Sequence, residues 1–210
     1  MNRTLVAATA LAGCFFVPTR SGFSTVANLE ISPPAEQVEA VLPEPEPLSV
    51  AEMLAAAVDA CAGDMPAPER EDLARSVLVE SQRHGYDPLF IQAMLEVESA
   101  CDPEARGVKG SIGLIQLRPE TARAVAAGAG MPWRGAAMLR ESSTNIRLAV
   151  LYLSQLEERF SDPYLALAAY NLGPTKVAQL PPARARRSTY VRKVLRRYHE
   201  LLVSHTAHES

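Results

Sequence analysis

Residues 87–99 read Asp-Pro-Leu-Phe-Ile-Gln-Ala-Met-Leu-Glu-Val-Glu-Ser, and this stretch decides the fold class. Asp87 before Pro88 predicts the start of a helix, because the carboxylate caps free backbone amides and proline fits the first helical position. The apolar residues that follow recur at helical spacing and mark one buried face, which consists of Ile91, Met94 and Leu95. The stretch therefore predicts a helix that packs into a core.

The rest of the chain after Pro68 has the same helical character, with no alternating strand pattern of useful length. Asp162-Pro163 repeats the start signal, and Ser49 with Glu52 has the spacing of a capping box. Glycines at 85, 128 and 173 are typical helix ends. We predict an all-α domain with further helices over residues 49–62, 69–84, 119–127, 143–160 and 188–203.

Glu98 lies at the i+7 position of the apolar face that begins at Ile91, so a carboxylate stands where a core residue is expected. Burial disfavours the charged form and predicts a raised pKa, which lets the group hold and donate a proton near neutral pH. A buried structural glutamate paired with an arginine is the alternative. Glu96 lies on a different face and is expected to be solvated.

The chain has 210 residues and a formal charge of −3, which suits one compact domain with a leader and a linker. Nothing in this charge balance calls for a nucleic-acid partner. A late basic cluster is either a solvated helix face or a contact for an anionic polymer, and it consists of Arg184, Arg186, Arg187, Arg192, Lys193, Arg196 and Arg197.

The first residues are typical of an export signal, with Arg3 before a short apolar stretch. Residues 11–14, Leu-Ala-Gly-Cys, match the lipobox of bacterial lipoproteins, in which Cys14 is acylated; an ordinary signal peptide cleaved near residues 21–27 is the alternative. We assign residues 1–13 to the signal and 14–68 to a Pro/Glu-rich tether with one short helix. Residues 69–204 form the domain and 205–210 a tail.

Cys61 and Cys101 remain after Cys14, and an oxidising compartment permits them to pair. Two buried free cysteines are the alternative. No metal site is expected, because the histidines lack ligand spacing with cysteine or carboxylate support; they are His84, His199, His205 and His208. No cofactor is implied either.

Several short motifs occur in an order that resembles the soluble lytic transglycosylase (SLT) domain family, over roughly residues 78–198. They are Glu98-Ser99, Asp102-Pro103, Gly110 to Leu117 with Pro119, Asn145-Ile146, Tyr152-Leu153, Ala168 to Asn171, Gly173-Pro174 and Tyr190-Val191.

The resemblance implies a lysozyme-like helical fold, of the goose-lysozyme/SLT type, with a cleft for peptidoglycan glycan strands. It implies cleavage of the β-1,4 bond between N-acetylmuramic acid and N-acetylglucosamine with formation of 1,6-anhydromuramic acid. Family members use one essential carboxylate, which maps onto Glu98 as acid and then base. The substrate's own acetamido group assists, so no second carboxylate is required.

By the same resemblance, four side chains support substrate binding around Glu98. Ser99 is expected near the acetamido group or the catalytic carboxylate, Gln116 on sugar, Tyr170 around Glu98, and Asn171 on substrate or as a helix-end cap. Gly113 lets the backbone approach the sugar closely. Asn145 is expected to buttress the cleft.

The chain departs from the family pattern at four positions near the catalytic motifs. Cys101 stands where an aromatic residue is common, Gly107 where serine is common, Ser111 where alanine is common and Ile115 where methionine is common. Gly107 removes a possible polar contact and is expected to loosen its loop. The motif at Tyr190 is the weakest part of the resemblance.

Two other functions stay open on the sequence alone: a goose-type hydrolase that uses water, and an exported glycan-binding scaffold without turnover. An export signal places the protein in the periplasm or cell envelope, with membrane attachment only through a lipid on Cys14. Members of the family also open the wall for secretion or other envelope-spanning machines, so the resemblance makes such a machine a candidate partner.

Overall fold

The computed structural model describes residues 48–107 and 109–204, and this part of the chain is helical. The prediction of an all-α domain is confirmed. The helices are α1 (Val50–Cys61), α2 (Ala67–His84), α3 (Pro88–Ser99), α4 (Pro119–Gly128), α5 (Ser142–Phe160), α6 (Pro163–Leu172), α7 (Pro174–Ala178), α8 (Pro182–Arg186) and α9 (Thr189–Ser204), and a 3-10 helix covers Ala136–Arg140.

The capping signals read from the sequence start the helices as expected. The Asp87 carboxylate accepts a hydrogen bond from the Leu89 amide at 2.8 Å. Asp162 caps α6 in the same way. Ser49 and Glu52 form the predicted capping box at the start of α1. The start of each predicted helix is therefore confirmed to within two residues.

Helix α3 is buried along most of its length and packs against α1, α2 and α9. Its predicted apolar face, formed by Ile91, Met94 and Leu95, is fully buried. Helix α5 lies against α2, α4 and α6 and completes the core. This packing holds the end of α3 in place against the loop that follows it.

Helix α1 belongs to the folded domain, so the expected boundary at residue 69 is wrong. Leu54 and Val58 are each 1% exposed and lie in the same core as α3. Three apolar positions at helical spacing, rather than the tether composition around them, decide where this segment lies. The domain thus begins at α1, on the N-terminal side of the family motifs.

The expectation that Glu96 is solvated is also wrong, because its side chain is only 12% exposed. Its carboxylate pairs with the Arg197 guanidinium from α9 and accepts a hydrogen bond from the Gln92 amide at 3.1 Å. The face of α3 that carries Glu96 is covered by α9, so the residue joins two helices. Two members of the late basic cluster thus lie in contacts between helices: Arg197, and Arg186 of α8, which pairs with the Asp162 cap of α6.

The proposed signal, Cys14, most of the tether and the tail lie outside the described residues. Within the described residues, no helix is long and apolar enough to cross a membrane.

Candidate active site

Glu98 lies in the last turn of α3 and lines a cleft of about 390 Å³. Burial raises the pKa of its carboxyl group from 4.5 to about 7, and the nearby Tyr190 hydroxyl opposes that rise. Since the packing of α3 fixes the backbone, the acid is held partly desolvated at the wall of an open cleft. A carboxyl group with this pKa can donate a proton at neutral pH and take one back.

Two tyrosines lie near the acid, and a third packs against one of them. The Tyr190 hydroxyl, from the start of α9, is buried near Glu98 but has no partner at full hydrogen-bond geometry in the described structure. The Tyr170 hydroxyl, from α6, donates to the Ile115 carbonyl at 2.9 Å. The Tyr152 ring lies 5.5 Å from the Tyr170 ring. Burial, and then the charge of Glu98, raises the pKa of both Tyr170 and Tyr190, so both stay protonated.

The loop of residues 110–117 contributes Ser111, Gln116 and Leu117 to the cleft lining and lies close to Asn145 of α5. Gly113 has φ of +81°, and a Cβ there would overlap the Leu139 carbonyl and lie 2.6 Å from the Asn145 Nδ2. Only glycine satisfies both the dihedral angle and the space. The backbone at Gly113 therefore lies closer to Leu139 and Asn145 than a residue with a Cβ would allow.

Asn145 holds this loop, as expected of a buttress. Its side chain is fully buried, and its Oδ1 accepts from the Ile115 amide at 3.0 Å. Its Nδ2 donates to the carbonyls of Ile112 and Leu139 at 3.0 and 2.9 Å. One side chain thus satisfies three backbone groups that a buried loop would otherwise leave unpaired.

Gln116 lines the cleft, with its amide engaged inside the loop. Its Nε2 donates to the carbonyls of Gly113 and Ala105, and its Oε1 accepts from the Ser111 hydroxyl at 2.7 Å. A Cβ on Gly107 would collide with that Ser111 hydroxyl. Ser111 therefore supplies, from the other side, the polar contact that Gly107 lacks, and the expectation that Gly107 loosens its loop stays a prediction.

The Ser99 side chain bonds to the same loop. Its hydroxyl donates to the Leu114 carbonyl at 2.6 Å and thereby ties the end of α3 to that loop. The next two residues, Ala100 and Cys101, have positive φ angles of 52° and 64°, which are unfavourable for residues other than glycine. A disulfide joins Cys101 to Cys61 of α1, and it anchors this strained turn. Of the two alternatives for these cysteines, the structure has the disulfide.

The cleft brings most of the predicted site residues together. Its lining consists of Glu98, Gly107, Lys109, Ser111, Gln116, Leu117, Arg118, Thr121, Tyr152, Tyr170, Asn171, Leu172, Gly173 and Pro174. Ser99 and Gly113 stand behind this surface and shape it. Glu98 is the one acidic residue in the described lining. The described residues contain no cluster of His, Cys, Asp and Glu suited to a metal ion.

Two features of the site did not follow from sequence reasoning. The sequence motif at Tyr190 assigns this residue no role, and the structure places its hydroxyl near Glu98. Lys109 and Arg118 also line the cleft. An aromatic residue in the weakest motif was the available signal for Tyr190, whereas nothing in the local pattern pointed to the two cations.

The chain is similar in sequence and in structure to known proteins. The model of the Transglycosylase SLT domain family matches residues 76–191. The soluble lytic murein transglycosylase of Salmonella typhimurium is 34% identical over 113 residues, which cover 52% of this chain and 18% of that protein. The membrane-bound lytic murein transglycosylase C of Actinobacillus pleuropneumoniae is 34% identical over 110 residues, covering 48% and 30%.

An X-ray structure of an inactive glutamate-to-glutamine variant of the lytic transglycosylase Slt from Pseudomonas aeruginosa superimposes with a TM-score of 0.56. The two proteins are 31% identical, and the match covers 63% of this chain and 24% of that one. The chain thus spans less than a third of the length of each of these relatives. Helix α1 and Cys61 lie outside the residues that the family model matches.

Proposed function

Because the chain belongs to the Transglycosylase SLT domain family, we propose that it is a lytic transglycosylase that acts on the glycan strands of peptidoglycan. It cleaves the β-1,4 bond between N-acetylmuramic acid and N-acetylglucosamine and leaves a 1,6-anhydromuramic acid end. The observation that carries this proposal is Glu98, a carboxyl group with a pKa of about 7 that is the one acidic residue in the described cleft lining.

One carboxyl group is sufficient for this chemistry. Protonated Glu98 donates its proton to the glycosidic oxygen, the bond from that oxygen to muramic C1 breaks, and the N-acetylglucosamine side leaves as an alcohol. The muramic C6 hydroxyl oxygen attacks C1, and the Glu98 carboxylate takes its proton. The acid is regenerated and no water is consumed. A glycosidase that relies on a carboxylate pair would need a second acid across the scissile bond.

The surrounding residues fall into two groups in this proposal. Gln116, Tyr170 and Asn171 contact sugar at the cleft surface, where all three contribute to the lining. Ser99 and Gly113 hold the shape of the wall through the Ser99 to Leu114 bond and the close approach at Gly113. Gln116 combines both tasks, because its amide also bridges its own loop.

We further propose that the protein works in the periplasm, exported by its N-terminal signal and anchored by a lipid on Cys14. The Pro/Glu-rich segment that follows would let the domain reach the wall from the membrane. The membrane-bound name of one relative agrees with this arrangement. A role beside an envelope-spanning machine would fit a small domain on a tether.

Digestion of purified peptidoglycan tests the activity. The protein without its leader, its Glu98→Gln variant and a Glu158→Gln control are compared, and the soluble muropeptides are analysed by mass spectrometry. Glu158 is an exposed glutamate on α5, outside the cleft lining. Anhydro-muropeptides from the parent and the control, and none from Glu98→Gln, are expected.

Other products point to the alternatives. Reducing-end products would identify a hydrolase of the goose-lysozyme type. Binding to peptidoglycan without release from any variant would identify a scaffold, and equal release from the Glu98→Gln variant would remove Glu98 from the reaction.

A further inference from the structure

Two cations line the cleft together with Glu98. They are Lys109, in the loop before the close-packed wall, and Arg118, which directly precedes α4. The rest of the described lining is uncharged. Since Glu98 is neutral whenever it holds its proton, the cleft carries positive charge in a chain whose formal charge is −3. This local excess favours an anionic ligand.

Arg118 is positioned to exchange its present partner for a ligand. Its guanidinium contacts the Glu120 carboxylate at 2.6 Å, and both side chains are more than half exposed. Exposed pairs of this kind contribute little free energy, so a second carboxylate can compete for the same donors. Burial raises the pKa of Tyr152, and the positive charges of Arg159 and Arg118 partly offset that rise, so the charge of Arg118 acts within the cleft.

Lys109 is free to act on the same ligand. Its side chain is exposed at the cleft, and within residues 48–107 and 109–204 no carboxylate lies within ion-pair distance of it. Lys109 supplies a compact point charge, and Arg118 supplies a planar fork that matches a carboxylate. Together they make two kinds of donor available in the cleft lining.

The proposed substrate offers one matching group on each repeat. N-acetylated sugar rings carry no charge, but the lactyl ether on C3 of a muramic residue ends in a carboxyl group. That group is either a free carboxylate or an amide to a peptide that has carboxylates of its own. We infer that Lys109 and Arg118 form a subsite for a carboxylate carried on the lactyl substituent of a muramic residue in the cleft. This inference rests on the proposed function.

Binding to the Glu98→Gln protein tests the subsite without turnover. Calorimetry would compare three ligands of equal length: a chito-oligosaccharide, which has no carboxylate; a peptide-free muramic glycan, which has lactyl carboxylates; and a peptide-bearing glycan, in which only the peptide has them. We expect about tenfold tighter binding of at least one muramic ligand than of the chito-oligosaccharide, because two exposed ion pairs near the upper end of their usual contribution together correspond to that factor. Which muramic ligand gains identifies the source of the carboxylate.

Charge-removing variants then locate the effect. The double change Lys109→Gln with Arg118→Gln should reduce the muramic ligand to the affinity of the chito-oligosaccharide. Glu120→Gln should increase the advantage, because it frees Arg118. Arg123→Gln is the matched control, an exposed arginine of α4 outside the cleft lining, and should change nothing.

No advantage over the chito-oligosaccharide, or an advantage that survives the double change, would overturn the subsite. Cleavage by the parent protein is scored separately. Cleavage without tighter binding of a muramic ligand supports the proposed function and removes the subsite. Tighter binding of a muramic ligand without cleavage supports the subsite and removes the proposed function.

Discussion

Replacing Glu98 by glutamine is expected to stabilise the protein, and to do so increasingly as the pH rises. The cause is burial, which raises the pKa of Glu98 from 4.5 to about 7. Because the pKa is higher in the folded than in the unfolded chain, the native state favours the protonated form. Below about pH 4 Glu98 is protonated in both the folded and the unfolded chain, so it imposes no penalty. Stability is lost as the pH rises from the unfolded pKa through the folded pKa of about 7.

The size of the effect follows from the two pKa values. At about 1.4 kcal/mol for each pH unit of displacement, ionised Glu98 destabilises the fold by about 3 kcal/mol at pH 8.5. Glutamine is uncharged at every pH and of similar shape, so it escapes this penalty. The stability lost by the parent is part of what a catalytic acid requires, since a solvated glutamate would be ionised at neutral pH.

Urea denaturation of the parent and the Glu98→Gln variant at about pH 4 and pH 8.5 measures this difference. The free energy of unfolding of the variant, minus that of the parent, should increase by about 3 kcal/mol between the two pH values. The exposed Glu158→Gln control should show almost no pH-dependent difference from the parent. A Glu98→Gln difference that is the same at both pH values would refute a raised pKa at Glu98.

Three further predictions concern the residues around the acid. Cys61→Ser opens a disulfide that spans 40 residues, so the free energy of unfolding should fall by up to about 4 kcal/mol, and an unchanged urea midpoint would contradict this. Tyr190→Phe removes a hydroxyl that favours the ionised form of Glu98. The pKa of Glu98 should therefore rise, and the alkaline limb of the pH–rate profile should move to higher pH by as much as about one unit; a shift to lower pH would count against this. Gly107→Ser should reduce stability by roughly 1–3 kcal/mol through overpacking, because a Cβ there collides with the Ser111 hydroxyl and with Gln116 Oε1. Adding Ser111→Ala should restore part of the loss, since it removes one of these two atoms; denaturation curves that leave the double variant no better than the single one would disprove this exchange.

Much of the fold was predictable because its signals are local. Asp87-Pro88 and Asp162-Pro163 start helices through hydrogen bonds to amides two or three residues away. The apolar spacing of α3 depends only on helical geometry, and it correctly placed Glu98 on an inward-facing stripe. The raised pKa of Glu98 follows from that placement, so the candidate acid could be found before any tertiary contact was known.

Other features depend on residues that are distant in the sequence. Glu96 is covered because Arg197, 101 residues later, packs across it. Asn145 holds a loop 30 to 33 residues earlier, and Tyr190 reaches Glu98 only because α9 lies against α3.

Hydrophobic spacing and helix caps are satisfied within one or two turns, so the sequence is enough to predict them. Burial of a particular polar side chain and the positions of the cleft cations depend on which helices meet and at what angle. The α1 segment shows the same division: its helix was predicted from a capping box, but its place in the core required the packing of α1 on α2 and α3.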